Sequence, residues 1–204
     1  CDEEQTLWIG TKGGGIVRIN NYSSDKEPLT SFNRISAANS TLTDNAVYCF
    51  APGATGKLWI GTENGINYYS YQSKQLKEFP VVADNKKVKY VHSINELNDT
   101  TLWVSTVGEG IVKVILNNTG SSPVVKSATR IVLDKGRMAS NYFFTSFQES
   151  DSILWFGNRG YGAYRLNVET GEMTPYKFDD VVKSQTANDI FAIYKNEKGY
   201  WLGT

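Results

Sequence analysis

Leu58-Trp59-Ile60-Gly61-Thr62 is one of five copies of a short phrase that recurs, with drift, along this chain. The others are Leu7-Trp8-Ile9-Gly10-Thr11, Leu102-Trp103-Val104-Ser105-Thr106, Leu154-Trp155-Phe156-Gly157-Asn158 and Tyr200-Trp201-Leu202-Gly203-Thr204. All five tryptophans lie in these copies, 51, 44, 52 and 46 residues apart. A period of roughly 40–50 residues with one Trp and one Gly per unit is that of a propeller or a comparable repeat array.

Around each copy the same unit repeats. A Gly follows the Trp by 7, 6, 7 and 7 residues in the first four copies and opens a new apolar run, such as Gly15-Ile16-Val17-Arg18-Ile19 and Gly110-Ile111-Val112-Lys113-Val114. Two β-type runs joined through a Gly-bearing link form a hairpin, because Gly supplies the positive φ of a tight turn. Eight or nine residues before the Trp lies another run: Val47-Tyr48-Cys49-Phe50, Val91-His92-Ser93-Ile94, Phe144-Thr145-Ser146-Phe147 and Ile190-Phe191-Ala192-Ile193. A weaker fourth run follows the hairpin at 29–32, 76–79, 128–132 and 173–176, with Pro80 and Pro175 in or beside it. Pro is tolerated mainly on edge strands. The unit is therefore four strands, A to D, with D outermost.

Runs A, B and C are apolar on both faces, as in sheets covered on both sides. Propeller blades are covered by their two neighbours. No stretch sustains a 3.6-residue apolar period, so the expected fold is all-β with almost no helix. The chain opens with B, C and D of one unit, continues through three complete units and closes with A and B of another, seventeen strands in all. The whole of 1–204 is thus expected to be a propeller fragment of about four four-stranded antiparallel blades, cut in mid-blade at both ends. Full closure needs more blades, and a seven-bladed parent is expected.

Composition removes several functions. There are 21 basic and 21 acidic residues, so no surplus of charge points to nucleic acid or a membrane surface. No apolar run approaches 18 residues, the length that would suggest a spanning helix. Two cysteines make no disulfide framework; Cys49, inside an A run, reads as a small packed hydrophobe. His92 is the sole histidine and has no partners of the kind that build zinc or triad sites. Gly10 to Gly15 lacks the Lys-Ser/Thr and the helix of a phosphate loop. No cofactor, metal or catalytic residue is expected. A glycosidase pair would need two carboxylates brought together from distant loops.

The repeat resembles the two-component regulator propeller repeat, whose unit carries Leu-Trp-Ile-Gly-Thr followed by Gly-Gly-Leu/Ile. The stretch Leu7 to Asn20, with Gly13-Gly14-Gly15-Ile16, is close to it, as is Lys57 to Tyr69. Ser105 and Asn158 depart from it. The resemblance covers essentially the whole chain. It implies the periplasmic sensor region of a hybrid two-component histidine kinase of the Bacteroidetes type, a homodimer in its intact form. The partners implied are an oligosaccharide ligand and the neighbouring blades and domains of the same protein. The alternatives are a protein–protein scaffold and a propeller enzyme such as a polysaccharide lyase.

In propellers the B–C and D–A loops converge on one face around the central channel, and loops on a rigid scaffold carry function. Of the B–C links, Arg159-Gly160-Tyr161 departs furthest from the repeat. Asn158, Arg159 and Tyr161, with Tyr142 ahead of an A strand, are the expected ligand contacts: an amide, a cation and aromatic faces suit a sugar, and Arg suits an anionic one. Tyr90, Asn141 and Asn188 are placed to line the same face.

Overall fold

The computed structural model describes residues 4–20, 33–53, 56–117, 122–133, 141–178 and 186–204. The first sheet holds β1 (Leu7–Thr11), β2 (Gly15–Ile19) and β3 (Asn33–Ile35). The second holds β4 (Val47–Gly53), β5 (Lys57–Thr62), β6 (Gly65–Ser70) and β7 (Gln75–Phe79). A small hairpin, β8 (Val82–Ala83) and β9 (Lys86–Lys87), follows it. The third sheet holds β10 (Val91–Asn98), β11 (Thr101–Thr106), β12 (Gly110–Asn117) and β13 (Val124–Ile131). The fourth holds β14 (Phe143–Gln148), β15 (Ile153–Asn158), β16 (Ala163–Asn167) and β17 (Met173–Tyr176), and β18 (Ala192–Asn196) pairs with β19 (Gly199–Gly203). All pairings are antiparallel between sequence neighbours, and no α-helix occurs among the described residues. The A strands of successive sheets touch, β4 on β10, β10 on β14 and β14 on β18, so A is the inner strand of each blade.

The core is divided by blade interface. Ile16, Val47, Ile60 and Tyr69 pack between the first and second sheets. Trp59, Phe79, Val91 and Val104 pack between the second and third, and Trp103, Phe143 and Phe156 between the third and fourth. Every residue of β6 and of β11 is buried, as expected of strands covered on both faces. Each fully buried large side chain contributes roughly 1.5–3 kcal/mol, so the blades are held by one another more than by their own pairing.

The structure explains the five-residue phrase. A Cβ on Gly61 would stand 2.6 Å from Val91 O, and one on Gly157 2.6 Å from Ile190 O. On Gly10 it would stand 2.9 Å from Val47 Cγ1. In all three cases the obstruction is the start of the next A run, so Gly marks the point where the next blade's inner backbone crosses. The Thr that follows closes the B–C turn. Thr11, Thr62 and Thr106 each donate from Oγ1 to the carbonyl of the Gly opening strand C, at 2.8, 3.0 and 2.6 Å. Asn158 closes its turn from the backbone instead, its N–H donating to Gly162 O at 2.9 Å.

The elements differ from the sequence reading at four points. The hairpin β8–β9 was not expected; its turn is Asp84-Asn85, both with positive φ (53° and 60°), which these residues tolerate better than most. Strand A of the fourth sheet starts at the buried Phe143, one residue before the expected run, and β18 starts at Ala192 rather than Ile190. The expected first D strand at 29–32 lies outside the described residues, and the strand found is β3 at Asn33–Ile35.

Candidate functional site

At the B–C end of the inner strands the backbone is laced from blade to blade. Lys12 bridges to Ala46, and Glu63 N–H donates to Ala46 O at 3.0 Å. Tyr90 N–H donates to Glu63 O at 2.8 Å, and Val107 N–H to Tyr90 O at 3.0 Å. Val107 bridges to Tyr142, and Arg159 N–H donates to Tyr142 O at 3.0 Å. Each B–C turn is thereby fixed against the residue that precedes an A strand. The side chains of Lys12, Glu63, Tyr90, Val107, Tyr142 and Arg159 start from one continuous arc.

Below this arc the second residues of β4, β10 and β14, with Phe191 just ahead of β18, form a second line. Tyr48 stacks on His92 with ring centroids 4.1 Å apart and planes 17° apart. Phe144 meets His92 edge-on at 5.2 Å, and Phe191 meets Phe144 at 4.9 Å. In β4, β10 and β14 the register shifts at this residue, a bulge that turns the side chain out of the alternation of its strand. The sequence reading missed this aromatic line. The signal was present as Tyr, His, Phe and Phe at one repeat position, but nothing in the sequence says that their rings meet. Burial pushes the pKa of His92 down, and rings enclose the imidazole on two sides. Burial, then the hydrogen bond from Tyr48 Oη to Glu63 Oε2 at 3.1 Å, pushes the Tyr48 phenol up and ties the two lines together.

The expected contact residues differ in burial. Tyr142 and Arg159 are neighbours in the arc, with Tyr142 half-buried and Arg159 exposed. Over the Tyr161 ring lies Lys177, whose Nζ is 5.7 Å from the ring centroid. Asn158 is fully buried and sits beneath the surface, its carbonyl accepting from Ile190 N–H at 2.9 Å. Asn141 and Asn188 are wedges: their Oδ1 atoms accept from Leu133 N–H and Phe178 N–H at 3.1 and 2.8 Å. Their carbonyls accept from Gly108 and Gly162 N–H, at 3.0 and 2.9 Å. Asn45 does the same job in the second sheet, accepting from Ala37 N–H at 2.8 Å. No cluster of three or more His, Cys, Asp or Glu suited to a metal occurs among the described residues.

Four-stranded antiparallel blades joined through their inner strands make this chain a β-propeller region. Residues 41–64 match the family model described as two component regulator propeller. The chain is 27% identical over 206 residues to histidine kinase P4 of Formosa agariphila, covering 99% of this chain and 14% of that protein. It superposes on the extracellular domain of the hybrid two component system BT4673 from B. thetaiotaomicron with a TM-score of 0.77 and 19% identity, covering 99% of this chain and 27% of that one. For the corresponding domain of BT3049 from the same organism the TM-score is 0.65 and the identity 21%, covering 100% of this chain and 26% of that one. The chain thus spans about a quarter or less of the proteins it is compared with. No helix among the described residues is long and apolar enough to cross a membrane.

Proposed function

We propose that this chain is the ligand-sensing propeller region of a periplasmic sensor in a hybrid two-component histidine kinase, responding to oligosaccharides from polysaccharide breakdown. The observation that carries this reading is the laced arc, which sets Tyr142 and Arg159 side by side on a rigid backbone. An aromatic face beside a guanidinium fork suits a saccharide ring and its polar groups. The match to the two component regulator propeller model supports the signalling setting, and the extracellular neighbours support the periplasmic one. In this reading the segment binds and does not catalyse. Asn158 contributes by holding the turn, and Tyr161 widens the contact. Ligand binding would favour one packing of the propeller against its neighbouring domains over another, and that difference in affinity is what a dimeric kinase would read.

The test is calorimetric titration with a panel of neutral and acidic oligosaccharides. Saturable binding that Tyr142→Ala and Arg159→Ala each weaken about tenfold supports the reading. Unchanged affinity in both variants would sink the assigned contacts. Product formation from a polysaccharide would move the chain to the enzymes.

A further inference from the structure

Arg130, in strand D of the third blade, is only 8% exposed and lines a cavity of about 190 Å³ together with Lys86, Gly108, Glu109, Val132 and Asn141. Its Nη1 donates to Glu109 O at 3.0 Å and to Glu109 Oε2 at 2.8 Å. Its Nε lies 3.9 Å from Oδ2 of Asp84, a carboxylate that is 66% exposed. Its Nη2 is buried and meets no acceptor among the described residues.

Part of this arrangement is structural. Arg34 holds the same place in the first sheet and donates to the carbonyl of Gly14 at 2.8 Å, clamping the B–C turn as Arg130 does. That role uses one arm of the guanidinium and explains neither the second arm nor Lys86. Lys86 is exposed and is carried to the cavity by the hairpin β8–β9, which rests on β13. Glu109 is already committed, to Arg130 and to Lys89 N–H at 3.3 Å. Glu109 and Asp84 lie on Nη1 and Nε, so the Nη2 arm lacks an acceptor, and the Lys86 ammonium on the same cavity has no ion pair among the described residues; both donors are open to an added acceptor. The cavity also adjoins the arc, since the Tyr142 ring stands 3.9 Å from where a Gly108 Cβ would be.

We infer that this cavity is an anion subsite, which takes the carboxylate or sulfate group of a small molecule between Lys86 and Arg130. The inference stands independently of the saccharide reading, because any small acid of this kind would satisfy it. Glu109 keeps the guanidinium oriented, and Gly108, with φ 92°, leaves the entrance open.

The experiment titrates the protein with sodium glucuronate, and separately with sodium sulfate, at an ionic strength held constant with chloride. Binding is followed by amide chemical shifts of Gly108 and Lys86. The expected result is saturable binding of glucuronate that Lys86→Gln weakens at least fivefold and that Lys126→Gln, at an exposed position of β13, leaves unchanged. Lys86 is exposed, so that variant keeps its fold; Arg130→Lys, which keeps charge and loses the fork, should weaken binding similarly if it folds. Glucuronate binding without sulfate binding identifies a carboxylate ligand; equal binding of both identifies a general oxyanion site. Absence of saturable binding by either anion, or binding unchanged in Lys86→Gln, would overturn the inference.

Discussion

The indole Nε1 of Trp59 donates a hydrogen bond to Glu96 Oε2 at 2.6 Å, from the B strand of one blade to the A strand of the next. Trp59 is fully buried, with its ring 5.0 Å from Phe79 and 5.7 Å from Tyr68. Trp59 is therefore a bolt between blades as well as a core residue. Trp155 makes a related bond to Glu149 at 2.7 Å, but within its own blade. Trp103 Nε1 has no acceptor among the described residues, and Lys113 lies over its ring at 5.4 Å.

Trp59→Phe keeps an aromatic ring and removes the donor. The expected cost is about 1.5–3 kcal/mol, the range for a hydrogen bond to a charged group. Glu96→Gln keeps an acceptor and should cost less. Urea unfolding midpoints with unchanged m-values would check both; equal costs for the two variants would refute the interblade bond as the cause.

Gly61→Ala forces a methyl against Val91 O and Cys49 Sγ, which lie 2.6 and 2.5 Å from the new atom. The carbonyl cannot rotate away, so the expected loss is about 1–3 kcal/mol. Ser105 occupies the same repeat position, is fully buried, and its hydroxyl meets no partner among the described residues. Ser105→Ala should therefore be neutral or stabilising. Thermal melting of the two variants side by side gives the comparison.

Burial acts to raise the pKa of Glu149, but hydrogen bonds from Tyr200, Trp155 and Lys195 outweigh it and hold the carboxyl at about 2, against an ordinary 4.5. The unfolded chain then takes up this proton first as the pH falls. The stabilisation is complete above about 4.5 and is lost as the pH drops toward 2. Acid unfolding of Glu149→Gln, compared with the parent, should show a flatter stability profile in that window.

His92 behaves in the opposite chemical sense with a similar outcome. Its pKa lies below the ordinary 6.5 because burial disfavours the imidazolium. As the pH falls through 6.5 the unfolded chain binds a proton that the folded protein resists, so stability declines until the lower folded value is reached. His92→Phe preserves the ring line between Tyr48 and Phe144 and should remove that part of the pH dependence. Differences in Tm between pH 7.5 and 5.5 for the two proteins would measure it; equal slopes would refute the buried neutral imidazole.

The sequence alone determined the blade. Period, Trp, Gly and the four runs are local features, and a strand buried on both faces has a composition that can be read without knowing its neighbour. Strands β5, β6, β11 and β12 accordingly lie where their runs predict. The hairpin β8–β9 escaped because its strands are two residues each and carry no period; only the Asp84-Asn85 turn announced it. Tertiary structure decided what faces what. It hydrogen-bonded Arg159 to Tyr142 through the backbone and buried Asn158. It also joined Tyr48, His92, Phe144 and Phe191 from four distant runs, and carried Lys86 to Arg130. Such contacts depend on how one blade is rotated onto the next. That rotation is set by close approaches such as Gly61 on Val91, between residues that are remote in the chain.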